Sequence, residues 1–151
     1  MIIRETELFK GMNFKELQII AGICSEESYQ KGTVIFRQND PAKSLLILEE
    51  GAVDLIVQNG GTLTYEITEP GEVLGWSSML ENGRYTASVI CATDLKAVKI
   101  DKHKLDRIFK LHPDVGLKVI KRLAAVFTRR LSNAYQGLLM VSRQGAGAAC
   151  G

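Results

Sequence analysis

Residues 31–58 read KGTVIFRQNDPAKSLLILEEGAVDLIVQ, and this stretch decides the fold. Three short β-rich runs, TVIF (33–36), SLLILEE (44–50) and AVDLIVQ (52–58), are parted by turn chemistry, Gln38-Asn39-Asp40-Pro41 and then Gly51. Asn59-Gly60-Gly61 follows and leads into TLTYEIT (62–68), a strong local signal for a hairpin. Two more runs, TASVICA (86–92) and LKAVKI (95–100), complete the series. Short strands at this spacing, closed off by turns, predict an antiparallel sandwich or jelly roll.

Outward from this region the period changes to helical. Over residues 1–25, Leu8, Met12, Leu17, Ile20, Ala21 and Cys24 recur every three or four positions, with Gly11 dividing the run. Cys24 falls on the apolar stripe, so it reads as a small buried hydrophobe. Residues 102–111 form a short helix ended by His112-Pro113. Asp114 then serves as N-cap of a long final helix. Along it Ile120, Ala124, Phe127, Leu131, Ala134, Leu138 and Val141 step alternately by four and three, a seam suited to a partner helix. Leu123, Val126 and Tyr135 widen the stripe toward the helix's own domain. A parallel homodimer through this seam is expected. The division is residues 1–25 as N-terminal helices, 26–100 as β-roll and 102–143 as C-terminal helices, a mainly β, α+β domain over 1–143. The tail 144–151, QGAGAACG, lacks an apolar pattern and is expected to be disordered.

The 151 residues are 46% hydrophobic and 24% charged, enough apolar material for one real core. No apolar run approaches the roughly 20 residues of a membrane span, and MIIRETELFKGM does not read as a signal peptide. Cys24, Cys91 and Cys150 are odd in number and far apart, and only His103 and His112 are present, so neither a disulfide framework nor a metal site is expected. The chain reads as cytoplasmic with free thiols. Net charge is +2, but unevenly placed: up to Asp114 there are 13 basic against 17 acidic residues, and beyond it six basic and no acid. The basic segment reads either as a surface for phosphate-rich partners or as a solvated helix face set against the acidic body.

Taken together, 31–57 and PGEVLGWSSMLENGRYTASVICATDL (70–95) resemble the cyclic-nucleotide-binding domain of the catabolite activator and protein-kinase regulatory-subunit superfamily. The matching positions are Gly32, Phe36, Asp40, Ala42, Ser44, Leu46, Leu48, Gly51, Val53, Gly71, Gly75 and Val89. Asn39 stands where the family usually has glycine, a mild departure since Asn tolerates left-handed backbone. The resemblance covers roughly residues 6–141 and implies a double-stranded β-helix or jelly-roll β-roll with flanking helices. It also implies that Gly71–Ala87 is a phosphate-binding cassette, with Trp76-Ser77-Ser78-Met79 as its short helix and Gly75 allowing close backbone approach.

Two positions break the pattern. Where cAMP-binding members carry a glutamate after the Gly75 position, for the ribose hydroxyl, this chain has Trp76, which cannot accept a hydrogen bond through its side chain. Where they carry the phosphate-binding arginine, it has Tyr85, with Arg84 one residue early and so on the opposite face of an extended chain. Losing both contacts would cost about 3–6 kcal/mol, or about two to four decades of affinity, so tight cAMP binding in the usual manner is not expected. Trp76 reads either as an aromatic platform for a planar ligand or as a plug that fills the pocket.

The candidate ligand residues are therefore Gly75, Trp76, Ser77, Ser78, Arg84, Tyr85, Thr86 and Ala87, joined on the final helix by Thr128 and Ser132 at the family's base-contacting side. No cofactor is expected beyond a cyclic-nucleotide-like ligand of unknown identity. The resemblance implies a regulatory domain without catalytic residues, sensing a small anionic ligand and signalling through the final helix, or else a ligand-free dimeric module for a downstream protein partner. The family's activators carry a helix-turn-helix after the long helix; direct DNA binding is not expected of this chain, nor is membrane association.

Overall fold

A computed structural model of the chain describes residues 6–150, with side chains through Arg143. A 3-10 turn (Glu7–Phe9) precedes α1 (Phe14–Ala21). Eight strands follow: β1 (Cys24–Tyr29), β2 (Val34–Phe36), β3 (Ser44–Glu50), β4 (Val53–Gln58), β5 (Thr62–Ile67), β6 (Val73–Leu74), β7 (Ser88–Cys91) and β8 (Leu95–Asp101). A 3-10 helix, Trp76–Met79, lies between β6 and β7, and α2 (Lys102–Leu111) and α3 (Pro113–Cys150) close the chain. The strands form two antiparallel sheets, ordered β1-β8-β3-β6 (sheet A) and β2-β7-β4-β5 (sheet B), the jelly roll expected.

The unbroken apolar run of β3 has a direct cause, since sheet A is covered on both faces. Leu46 and Leu48 meet Phe36, Val53, Val89 and Ala97 between the sheets. Leu45 and Ile47 point the other way, onto Leu8, Phe9, Ile20, Leu105, Val119 and Leu123 of the helical layer. Strand β5 is bonded on one edge only, by β4, and is exposed at every residue but Ile67. Asn39 takes a left-handed φ of 72°, as its place in the β2–β3 turn requires.

The N-terminal reading needs one correction. The helical period of the sequence runs on to Cys24, but Cys24–Tyr29 is a strand whose register runs from Cys24 opposite Ile100 to Tyr29 opposite Leu95. CSEESY lacks the alternation that marks a strand, and pairing with β8 overrides local propensity. Gly11 does separate two pieces, and α1 opens on a reciprocal cap: Asn13 accepts from the Glu16 N–H at 2.9 Å, and the Glu16 carboxylate accepts from the Asn13 N–H at 3.3 Å. Strand β6, two residues long, was also unforeseen.

At the other end α2 matches its expected bounds, and the Asp101 carboxylate caps it by accepting from the His103 and Lys104 N–H groups. Asp114 is not the N-cap of α3. The helix begins at Pro113, whose missing N–H is harmless at a first helical position, and Asp114 lies in the first turn. The tail 144–151, expected to be disordered, lies outside the residues described with side chains, and α3 is bounded at Cys150. Three of the six basic residues of α3 lie against acids of the body, as Lys118–Glu16 at 2.7 Å, Arg129–Glu7 at 3.8 Å and Arg130–Glu72. That arrangement matches a basic face set against the acidic part of the chain.

Candidate functional site

The cassette segment leaves β6 through Gly75, which adopts φ 75° and ψ 25°. A Cβ there would stand 2.6 Å from the Phe36 ring and 2.9 Å from the Ser44 carbonyl, so both backbone and space demand glycine. The segment closes on itself at Gly83, where a Cβ would meet the Ser77 carbonyl at 2.0 Å. From Gly83 to Tyr85 the chain pairs with the β2–β3 turn: Ala42 N–H donates to Gly83 C=O, Tyr85 N–H to Asp40 C=O, and Asn39 N–H to Tyr85 C=O.

This pairing sends Arg84 and Tyr85 to different places. Tyr85 is buried, stacked on Phe36 with ring centroids 4.1 Å apart. Its hydroxyl donates to the Ser44 C=O at 2.8 Å and accepts from the Ser44 N–H at 3.2 Å. Arg84 is exposed and donates to the Asn39 C=O at 2.7 Å. Thr86 is exposed, Ala87 and Ser77 are half-buried, and Ser78 is buried, with its N–H held by the Gly75 C=O.

Trp76 turns toward α3. Its indole stacks on Phe127, centroids 3.6 Å apart and planes at 27°, while the Arg130 guanidinium lies 4.8 Å from the indole centroid. Arg130 also donates to the Glu72 carboxylate and, at 2.6 Å, to the Val73 C=O. Phe127 and Arg130 thus bind cassette to helix, and neither was among the candidate ligand residues. Their spacing of three places them on one helix face, a signal legible only once Trp76 is known to face α3. Thr128 is exposed, its hydroxyl turned back on the Ala124 C=O at 2.8 Å, and Ser132 is exposed.

A further surface escaped the sequence. Leu55 and Tyr65 are register partners, two residues along from Val53 and Ile67, so all four share the inner face of sheet B. Val53 and Ile67 are core, whereas Tyr65 is 65% exposed and its neighbour on that face, Leu63, 68%. The roll is open there, with an uncovered aromatic and aliphatic wall.

The apolar residues of α3 divide similarly. Val115, Val119, Leu123 and Val126 are buried on the chain's own helices and sheet, while Ile120, Ala124, Leu131, Ala134 and Leu138 are exposed. Phe127 belongs to both sets, covered on one side by Trp76 and 39% exposed. Burial pushes the Cys24 thiol up to about 12 and also raises that of Cys91. Among the described residues no three His, Cys, Asp or Glu side chains come close enough to hold a metal ion, and no helix is long and apolar enough to cross a membrane.

The model of the cyclic nucleotide-binding domain matches residues 26–112, more than half of the chain. The chain belongs to the cyclic nucleotide-binding domain family. Among solved structures, a putative cyclic nucleotide-binding protein from Geobacter metallireducens GS-15 superposes with a TM-score of 0.73 at 28% identity, covering 84% of this chain and 93% of that one. The catabolite activator protein of Thermus thermophilus does so at 0.73 and 26% identity, over 91% of this chain and 63% of that one. Among curated proteins, Glutaminase 1 of Bradyrhizobium diazoefficiens is 29% identical over 132 residues, 85% of this chain but 21% of the relative. The cyclic AMP receptor protein of Thermus thermophilus is 26% identical over 87% of this chain and 60% of the relative. This cyclic nucleotide-binding domain therefore spans between a fifth and three fifths of those two curated relatives.

Proposed function

We propose that this domain is a non-catalytic, cytoplasmic regulatory module that senses a small anionic, nucleotide-like ligand in the roll and passes the signal through α3. The observation that carries this reading is the link between cassette and helix: Trp76 packs on Phe127, and Arg130 holds Glu72 and the Val73 carbonyl. A ligand that binds better to a displaced Gly75–Ala87 than to the observed one would move α3 with it, which is the differential affinity a switch requires. The exposed wall of Leu63 and Tyr65 supplies a surface for a planar ligand, and the exposed Arg84 and Thr86 supply polar groups of the cassette. Trp76 in this reading serves the coupling rather than stacking on the ligand. The exposed seam residues Ile120, Leu131 and Leu138 suit a homodimer with a parallel partner helix, through which the shift reaches a downstream protein. Usual-mode cAMP binding is not part of this reading, because Tyr85 is spent on Ser44 and offers no charge.

The burial of Tyr85 also favours a second reading, a degenerate roll that binds no ligand and recruits another protein through the dimer. Trp76 is the chain's single tryptophan, so its emission reports the cassette directly. Thermal unfolding and Trp76 emission, with about 1 mM each of cAMP, cGMP, cyclic dinucleotides, AMP and ATP, separate the two readings. A ligand with Kd about 10 µM adds roughly 2.7 kcal/mol, or about 5–10 °C in a domain of this size. A shift accompanied by changed emission supports the sensor; unchanged midpoint and emission across the set overturn it in favour of the interaction module.

A further inference from the structure

On β8 the face turned toward sheet B carries Leu95, Ala97 and then Lys99. Leu95 and Ala97 belong to the core between the sheets, and Lys99 lies in register with Leu46 of β3, which is fully buried. Lys99 itself is half-buried and has no partner among the described residues, and packing alone gives no reason for a lysine at this position. Here the sheets part. Strand β2 bulges at Ile35, between the Val34–Ile90 and Phe36–Val89 pairs, and a cleft of about 450 Å³ opens between β2, β3 and β8.

The walls of this cleft include Val34, Phe36 and Leu46, and its charged lining is Arg37, Lys43 and Lys99 against the single acid Asp40. Among the described residues none of these four side chains forms an ion pair or a side-chain hydrogen bond. Ser44 adds a neutral polar group to the lining. It is 6% exposed and lines the cleft, with its side chain on the same inward face as Leu46. The Tyr85 hydroxyl occupies its backbone N–H and C=O, yet its own hydroxyl has no hydrogen-bond partner among the described residues. The oxygen is not sealed in, because the buried unpaired side-chain oxygens among the described residues are those of Glu16 and Glu49, so the Ser44 hydroxyl is open to the cleft. Of Gly75–Ala87 only Tyr85 touches the cleft, as a wall, so the place is separate from the cassette.

We propose that the cleft is a second ligand site, for a compact phosphomonoester. Its apolar body enters between β2 and β3, and the phosphate is held by Lys99 and the Ser44 hydroxyl, with Arg37 and Lys43 at the rim. Three cations against one acid favour a dianion over a carboxylate, and the apolar walls favour an organic ester over free phosphate.

Phenyl phosphate is the probe, titrated calorimetrically at low ionic strength beside benzoate and benzyl alcohol. The expected order of affinity is phenyl phosphate, benzoate, benzyl alcohol. Lys99→Met should weaken phenyl phosphate by about tenfold or more, the loss of one charge-assisted contact, while raising the unfolding midpoint because an inward ammonium gives way to an apolar chain of similar length. Ser44→Ala should also weaken it, leaving the backbone contacts of Tyr85 in place. Lys96→Met makes the same charge change on the opposite face of the same strand, at an exposed side chain, and should leave affinity within twofold. No heat with phenyl phosphate up to about 10 mM, or equal losses in Lys99→Met and Lys96→Met, overturns the site.

Discussion

The Trp76 indole and the Phe127 ring stack 3.6 Å apart, joining the cassette of the roll to the first half of the long C-terminal helix. A stacked aromatic pair adds about 0.5–1.5 kcal/mol beyond the area it buries. It is the contact that turns two separately folded elements into a coupled pair.

Phe127→Ala should therefore release the tryptophan. We expect its emission to shift to longer wavelength and the domain to lose about 1–3 kcal/mol in urea unfolding, less than a fully buried phenylalanine because Phe127 is partly exposed. Unchanged emission would show that Trp76 does not depend on the helix for its environment.

Arg130 is held by geometry as well as charge. Its fork serves a carboxylate and a carbonyl at once, while a lysine is a single point charge. Arg130→Met should cost about 1–3 kcal/mol by leaving Glu72 and Val73 unpartnered, and Arg130→Lys should recover only part of it. Full recovery with lysine, measured by denaturant midpoints, would reduce the contact to simple ion pairing.

Tyr85→Phe keeps the stack on Phe36 but strips two buried hydrogen bonds from Ser44. Removal of the hydroxyl should destabilise the domain by about 1–3 kcal/mol. If stability were unchanged, the tyrosine would not be structural, and its hydroxyl would be free for a ligand.

The Lys118 ammonium, and then the Asn13 N–H, hold the Glu16 carboxyl below its usual 4.5. Its unfolded form binds a proton more readily than its folded form, so this part of the stability is complete above about pH 4.5 and is lost as pH falls through the lower folded value. Glu16→Gln should flatten the acid limb of a stability–pH curve below about pH 4.5 and leave Asn13 capping intact. An unaltered acid limb would assign acid sensitivity to other carboxylates.

Cys24 should resist thiol reagents in the native state at pH about 8, because burial keeps its proton on and only the thiolate reacts. Labelling of a Cys150→Ser variant should wait on unfolding; rapid native labelling at Cys24 would mean that the α1–β1 junction opens.

Much of the architecture was legible in the chain. The turn at Asn39–Asp40, the paired runs of β4 and β5, the helix over 102–111 and the glycine at 75 are local matters, set by backbone conformations and periodicities that neighbouring residues alone impose. So was the departure at Trp76 and Tyr85, visible against the family's pattern as two missing polar contacts. What those residues do instead was not legible. CSEESY is a strand only because β8 lies beside it, Phe127 leaves a heptad seam to meet an indole fifty-one positions earlier, and Lys99 is an ordinary alternating residue until the bulge at Ile35 parts the sheets. Each of these depends on contacts between residues far apart in sequence, whose energies no local period records, and only the tertiary structure decides them.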